Sequence, residues 1–154
     1  MTEIGDTIPD VALTRPDGSE VRASDYAGKP WVLYFYPKDD TTGCTKEAQE
    51  FSAQLPAFEA AGVSVLGVSK DPPKKHLKFI EKYGLTVPLA SDAETDGLAE
   101  AMGVWIEKSM YGKKYMGMDR STFLIGSDGK VAKVWRKVKV AGHVDEVLAA
   151  ATAL

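Results

Sequence analysis

The segment "DDTTGCTKEAQEF", residues 39–51, carries the only cysteine of the chain, Cys44, directly after a glycine and three residues after Thr41. If a strand ends at Pro37 and a helix begins near Thr42, Cys44 falls in the first turn of that helix. Backbone N–H groups have no intrahelical partner there, and the positive end of the helix dipole favours a thiolate over a thiol. The same N–H groups of Gly43 and Cys44 can hold an anion or a developing negative charge. The Thr41 hydroxyl can turn to the same side, to accept from a substrate oxygen or to donate to the sulfur. A nucleophile, a hydroxyl and a set of N–H donors then share one place.

Each of these residues also has a plain structural reading. A lone cysteine is more often a small, inert core residue than a reactive one. The neighbours of Cys44 are polar and turn-forming, however, and this setting predicts a sulfur near solvent. Thr41 reads equally as a helix cap, and Glu47, placed in the first turn, as a partner of the helix dipole. Arg120, just before "STFLIG", reads as a solvated charge, because spacing alone links it to nothing.

The surrounding elements can be read from periodicity. "VALTRPDGSEVRAS", residues 11–24, is a hairpin about Pro16-Asp17-Gly18, expected at a sheet edge. "WVLYFYP", residues 31–37, is a continuous apolar run bounded by prolines, which suits a central strand buried on both faces. From Thr42 to Ala61-Gly62 the apolar residues Ala48, Phe51, Leu55 and Phe58 recur at helical spacing, with Pro56 expected to kink or split the helix. "VSVLGVS", residues 63–69, is a second buried strand, parallel to the first. A helix follows, with Asp71 as its cap, Pro72 early and Gly84 at its end. "TVPLASD" is a short extended piece and "AETDGLAEAMGV" a short helix. "WIEKSMYGKKYMGMD" has no clear period and reads as a functional loop or irregular strand. "STFLIGSDGKVAKVWRKV" is a hairpin about Ser127-Asp128-Gly129, and "HVDEVLAAATAL" is a closing helix.

A parallel β-α-β unit followed by an antiparallel hairpin and a last helix predicts an α/β chain of the thioredoxin fold. Its central mixed sheet would be flanked by helices, with an added N-terminal β-hairpin. At 154 residues and 16.6 kDa, one domain spanning 1–154 is expected, large enough to need no disulfide or metal staple. A net charge of −3 gives no footprint for nucleic acid or an anionic membrane surface. The start "MTEIGDTIPD" lacks the pattern of a secretion signal, and no apolar run is long enough to span a bilayer. With a lone cysteine, this places the expectation in the cytosol. Two histidines and one cysteine do not suggest a metal site, and no cofactor is expected.

The residues that carry a family resemblance are now in view. "YFYPKDDTTGCTKEAQEF" resembles the active-site segment of the peroxiredoxins, with their Pro-x-x-x-Thr-x-x-Cys motif at Pro37, Thr41 and Cys44. The wording is most similar to the bacterioferritin comigratory protein, or peroxiredoxin Q, branch. "GVSKDPPKKHLKFIEKYGLTVPLASD" and "YGKKYMGMDRSTFLIGSDGKV" extend the likeness over nearly the whole chain. The resemblance implies a thiol peroxidase acting on hydrogen peroxide or alkyl hydroperoxides. Cys44 would be the sulfur that attacks a peroxide oxygen and becomes a sulfenic acid, and Thr41 the hydroxyl that aligns the peroxide. Arg120 would stabilise the thiolate and the polarised O–O bond, with Glu47 holding that arginine. Pro37 would shield the sulfur, and the backbone at Gly43 and Cys44 would bind the oxygens. A monomer is expected ahead of a dimer.

The chain departs from that branch in one respect. The positions at which members carry a second, resolving cysteine hold Gln49 and, in the next helix, Ile80. An intramolecular disulfide is therefore impossible, and the resemblance implies a one-cysteine cycle finished by an external thiol, a thioredoxin-like protein or glutathione. A thiol-disulfide oxidoreductase would require Cys-x-x-Cys, but three residues from Cys44 stand Thr41 and Glu47. A binding or holdase module with a vestigial cysteine needs no such combination of Thr41, Cys44, Glu47 and Arg120.

Overall fold

The computed structural model describes residues 1–93 and 96–154; Glu94 and Thr95, inside the stretch read as a short helix, lie outside the described residues. Nine strands and four α-helices follow in the order β1 (Leu13–Thr14), β2 (Glu20–Val21), β3 (Trp31–Phe35), α1 (Thr42–Ala60), β4 (Ser64–Ser69), α2 (Pro73–Tyr83), β5 (Leu89–Ser91), α3 (Leu98–Met102), β6 (Trp105–Met110), β7 (Lys113–Met118), β8 (Ser121–Ile125), β9 (Val131–Trp135) and α4 (His143–Thr152) among these residues, with a 3-10 helix at Ala23–Tyr26 between β2 and β3.

Seven strands form one mixed sheet in the order β2-β1-β5-β4-β3-β8-β9. All five residues of β3 are buried, as its unbroken apolar run requires. It pairs parallel to β4 and antiparallel to β8, with Trp31 opposite both Ser64 and Ile125. The segment β3-α1-β4, then the β8–β9 hairpin and α4, is the thioredoxin arrangement. The N-terminal hairpin is added at the far edge through the β1–β5 pairing.

The sheet separates two apolar layers. On one face Val32, Tyr34 and Tyr36 of β3 and its extension pack with Ala48, Phe51 and Phe58 of α1, Phe79 of α2 and Val144 and Val147 of α4. On the other, Leu33 and Phe35 meet Leu98, Ala99 and Met102 of α3 and Phe123 of β8. Alternation along β3 distributes its side chains between the layers, and each fully buried Phe or Leu contributes roughly 1.5–3 kcal/mol. Together these layers hold the ends of β3 and α1 at one edge of the fold, where Cys44 is.

Three expectations change. Helix α1 runs unbroken through Pro56. The ring removes the N–H that would bond the Ser52 carbonyl, but the Thr86 hydroxyl donates to that carbonyl at 3.3 Å, and Ser52 Oγ accepts from the N–H of Thr86 and of Val87. Asp71 does not cap α2: Pro72 occupies the cap position, and Asp71 Oδ2 accepts from the N–H of Asp39 and the hydroxyl of Ser69. The stretch after Val104 is a regular two-stranded ribbon, with Trp105 paired to Met118 and Met110 to Lys113. Tyr111 and Gly112 turn it with φ values of 51° and 77°, as a type I′ turn demands. Much of this ribbon is solvent-exposed, Tyr111 fully so, and Met110, Tyr115 and Met116 are exposed with it.

Candidate active site

The turn between β3 and α1 delivers Cys44 as the third residue of the helix. Thr41 has the extended backbone of a cap residue, and the N–H of Thr45 makes the first helical bond to its carbonyl at 2.9 Å. The N–H groups of Thr42, Gly43 and Cys44 precede that bond and, among the described residues, are the unpaired donors of the helix start. Thr41 does not cap the helix with its side chain. Its hydroxyl donates instead to the Lys38 carbonyl at 2.8 Å. With its proton committed there, Oγ1 can serve an incoming hydroperoxide only as an acceptor.

The sulfur is not near solvent. Cys44 is 1% exposed and belongs to the α1-side core with Tyr34, Tyr36 and Phe51. The polar neighbours misled the sequence reading because Pro37, Lys38, Asp40, Thr41 and Thr42 are exposed while the helix turns Cys44 inward. Within this buried setting Arg120 Nη2 donates to Cys44 Sγ at 3.3 Å.

Arg120 is a held guanidinium rather than a solvated charge. Its Nη1 donates to Glu47 Oε1 at 2.7 Å, and its side chain is only 16% exposed. Burial opposes its charge, but Glu47 and Cys44 outweigh that and hold its pKa above the usual arginine value. Its carbonyl accepts from the N–H of Val138 at 2.9 Å, so the β9–α4 loop fixes its backbone from the other side. Glu47 lies in the second turn of α1, not the first, and is completely buried, so the dipole reading is replaced by the ion pair with Arg120. Burial pushes its carboxyl up to about 7 against the pull of Arg120. Among the described residues its second oxygen, Oε2, has no hydrogen-bond partner.

Gly43 packs closely against the guanidinium. A Cβ at this position would stand 3.2 Å from Arg120 Nη2 and 4.0 Å from Val140 Cγ2. Pro37 begins the exposed turn ahead of Cys44. Arg120 thus joins Cys44 to Glu47, with Gly43 against the guanidinium and Thr41 and Pro37 on the turn.

Sequence reading missed a second set of residues. Asp39, Tyr36 and His76 form a buried hydrogen-bonded group beneath the turn: Tyr36 OH donates to Asp39 Oδ1 at 2.6 Å, and His76 Nδ1 lies 2.6 Å from Asp39 Oδ2. One signal was available. His76, Phe79, Ile80 and Tyr83 share the i, i+3, i+4, i+7 stripe of α2, and a histidine on such a stripe needs a partner. The other histidine, His143, is buried beside Thr122, with Nε2 2.8 Å from Thr122 Oγ1. Burial lowers its pKa to about 4, with Arg120 adding to the effect and Glu146 opposing it.

A cysteine at a helix start with a guanidinium on its sulfur and donors alongside is suited to nucleophilic attack with stabilisation of an oxygen leaving group. Comparison with known proteins agrees. The AhpC/TSA family model matches residues 4–134. Peroxiredoxin Bcp of Xanthomonas campestris is 49% identical over 141 residues, covering 92% of this chain and 88% of that protein. Peroxiredoxin Bcp of Bacillus subtilis is 50% identical over 146 residues, with coverages of 95% and 92%. Among solved structures, Xanthomonas campestris peroxiredoxin Q superposes with a TM-score of 0.90 at 46% identity, covering 99% of this chain and 96% of the other. A structure of the Xanthomonas campestris bacterioferritin comigratory protein, studied for alkyl peroxide reduction, gives the same score and identity, with coverages of 99% and 97%.

The chain belongs to the AhpC/TSA family and has the thioredoxin fold of its peroxiredoxins. Within that family it stands with the Bcp, or peroxiredoxin Q, proteins, and its activity is that of a thiol peroxidase, which consumes a peroxide and a thiol.

Proposed function

We propose that Cys44 is the peroxide-reacting sulfur and that the chain reduces hydrogen peroxide and alkyl hydroperoxides in a one-cysteine cycle. The thiolate attacks one peroxide oxygen, forming the S–O bond as the O–O bond breaks. The leaving hydroxide or alkoxide takes up a proton, and Cys44 is left as a sulfenic acid, oxidised by two electrons. An external thiol then attacks that sulfur, releasing water and forming a mixed disulfide. A second thiol releases Cys44 and leaves as the oxidised disulfide. With one cysteine in the chain, no internal thiol can take either part.

Each neighbouring group has a role in the first step. The Arg120 guanidinium lies beside the sulfur and the developing S–O bond, and Glu47 sets its orientation. Thr41 Oγ1 accepts a hydrogen bond from the peroxide O–H, the N–H groups of Gly43 and Cys44 bind oxygen, and the Pro37 ring closes the turn against water. Residues 1–154 act as one peroxidase unit and as a monomer. A lone catalytic thiol suits the cytosol, whose reductants are the thiols that the cycle requires. The relative studied for alkyl peroxide reduction supports the inclusion of alkyl hydroperoxides.

The observation that carries this reading is the guanidinium of Arg120, which donates to Cys44 Sγ and to Glu47 at once. Peroxide consumption by the wild type and Cys44→Ser, with glutathione or a thioredoxin system supplied separately, tests it. The wild type turns over with at least one reductant and Cys44→Ser with neither. Turnover by the serine variant contradicts the assignment.

A further inference from the structure

Reagents much larger than a hydroperoxide reach a sulfur in a residue 1% exposed only when the first turn of α1 opens. That turn is anchored on its N-terminal side by two consecutive residues, each gripped by a different end of α2. The Asp39 carboxylate meets His76 Nδ1 at 2.6 Å and the Tyr36 hydroxyl at 2.6 Å, while its own N–H donates to Asp71 Oδ2 at 2.8 Å. Asp39 and His76 are 2% and 0% exposed. The orientation of His76 is fixed independently, since its Nε2 lies 3.0 Å from the Ala90 carbonyl. A carbonyl only accepts, so Nε2 donates to it, and the contact between Nδ1 and Asp39 holds a further proton shared by ring and carboxyl.

Asp40 is held at the exposed surface by the last turn of α2. Its Oδ1 accepts from the Tyr83 hydroxyl at 2.5 Å and its Oδ2 from Lys82 Nζ at 2.8 Å. The residue has φ 60°, a left-handed conformation unusual outside glycine, which persists where contacts impose it. None of these contacts touches the sulfur or Arg120, yet they fix the backbone immediately before Thr41.

We propose that His76 is a positioning residue for the peroxidase. Through Asp39 it holds the segment 37–41, and with it the first turn of α1, in the arrangement that keeps Cys44 Sγ against Arg120. Tyr83 and Lys82 act in the same way through Asp40. The clamp rests on the reading of Cys44 as the reacting sulfur and extends it. In a chain without a second cysteine, the opening of this turn sets how readily a bulky thiol reaches the oxidised sulfur. α2, where Ile80 stands in place of a resolving cysteine, serves here as the lock.

The test measures two rates on the same proteins: labelling of Cys44 in the folded protein by a maleimide carrying polyethylene glycol, and peroxide reduction. The proteins are the wild type, His76→Gln, Asp39→Asn, the double variant and Tyr83→Phe. Val131→Ala, a core change on the opposite face of the sheet, is the control for lost stability, and urea midpoints are recorded for all. Labelling is expected to accelerate roughly tenfold or more in His76→Gln, because a broken buried pair releases a local segment before the whole fold. It should rise by a smaller factor in Tyr83→Phe, which leaves the buried group intact, while Val131→Ala labels as the wild type does. The effects of His76→Gln and Asp39→Asn should not multiply, since both remove one contact. Unchanged labelling in both His76→Gln and Tyr83→Phe overturns the clamp, as does equal acceleration in Val131→Ala. Accelerated labelling in proteins none of which reduces peroxide, the wild type included, supports the clamp and overturns the role given to Cys44.

Discussion

Arg120 Nη2 stands 3.3 Å from the sulfur of Cys44, 76 residues away in the chain. The approach follows from topology. β8, which Arg120 precedes, lies beside β3, with Ser121 opposite Phe35, so the start of one strand meets the end of the other where α1 begins. The antiparallel pairing of β8 with β3 therefore assembles the site.

Replacing Arg120 with alanine should lower the rate constant for peroxide reduction by about two to three orders of magnitude, the cost of losing one preorganised donor at a developing charge. Alkylation of Cys44 by iodoacetamide, which develops no oxyanion, should slow far less. Equal losses in the two rates would contradict a role in positioning the peroxide.

Glu47 makes a prediction in pH. Burial raises its carboxyl from 4.5 to about 7, so as pH falls through that value the carboxylate takes a proton and its hold on Arg120 weakens. Peroxide reduction should fall between about pH 8 and about pH 6 in the wild type, and Glu47→Gln should show a lower, flatter profile. The effect on stability has the opposite sign. A carboxyl with a raised pKa favours folding most below its unfolded value of 4.5, and that contribution is lost as pH rises to about 7. His143 opposes it: with its pKa lowered from 6.5 to about 4, its contribution is full above 6.5 and is lost as pH falls towards 4. The difference in urea midpoint between the wild type and Glu47→Gln, followed against pH, separates the two. A parallel pair of activity profiles contradicts the coupling of Glu47 to the reaction.

Gly43→Ala brings a methyl group to 3.2 Å from Arg120 Nη2. The guanidinium is held on two sides by Cys44 and Glu47, so even the shift of a few tenths of an ångström that the methyl asks for disturbs both contacts. Thermal unfolding should change by about 1 kcal/mol or less, the glycine-to-alanine effect in a helix, while peroxide reduction drops by about tenfold or more as the donor is displaced. A variant with normal activity would show that Arg120 tolerates displacement.

The parts of this architecture that depend on local pattern could be read from the chain. β3 and β4 declare themselves by apolar runs, α1 by Phe51, Leu55 and Phe58 at helical spacing, and the hairpins by Pro16-Asp17-Gly18 and Ser127-Asp128-Gly129. What depends on distant partners could not. The pairing of Arg120 with Cys44 was reachable only by family likeness, and the spacing of α2 shows that His76 needs a partner but not that the partner is Asp39. The burial of Cys44 was misread because its sequence neighbours face outward from the turn that hides it. Pro56 leaves α1 unbroken because Thr86, thirty residues later, takes up the carbonyl it frees. The ribbon of β6 and β7 was missed for a different reason: it buries little on either face, so no alternation marks it, and its turn uses Tyr111-Gly112 where Asn-Gly is usual.

The central claim is that Cys44 alone receives the oxygen of the peroxide and that nothing else in the chain resolves it. Intact-mass and peptide mass spectrometry of the reduced protein after one equivalent of hydrogen peroxide, with and without glutathione, tests both parts. The account predicts one added oxygen atom on the peptide of Cys44, trapped by a sulfenic-acid reagent. With glutathione present, a glutathione mixed disulfide should form at the same residue, on its way back to the thiol. Peroxide consumed with Cys44 unmodified, or oxygen found first on a methionine, would contradict it.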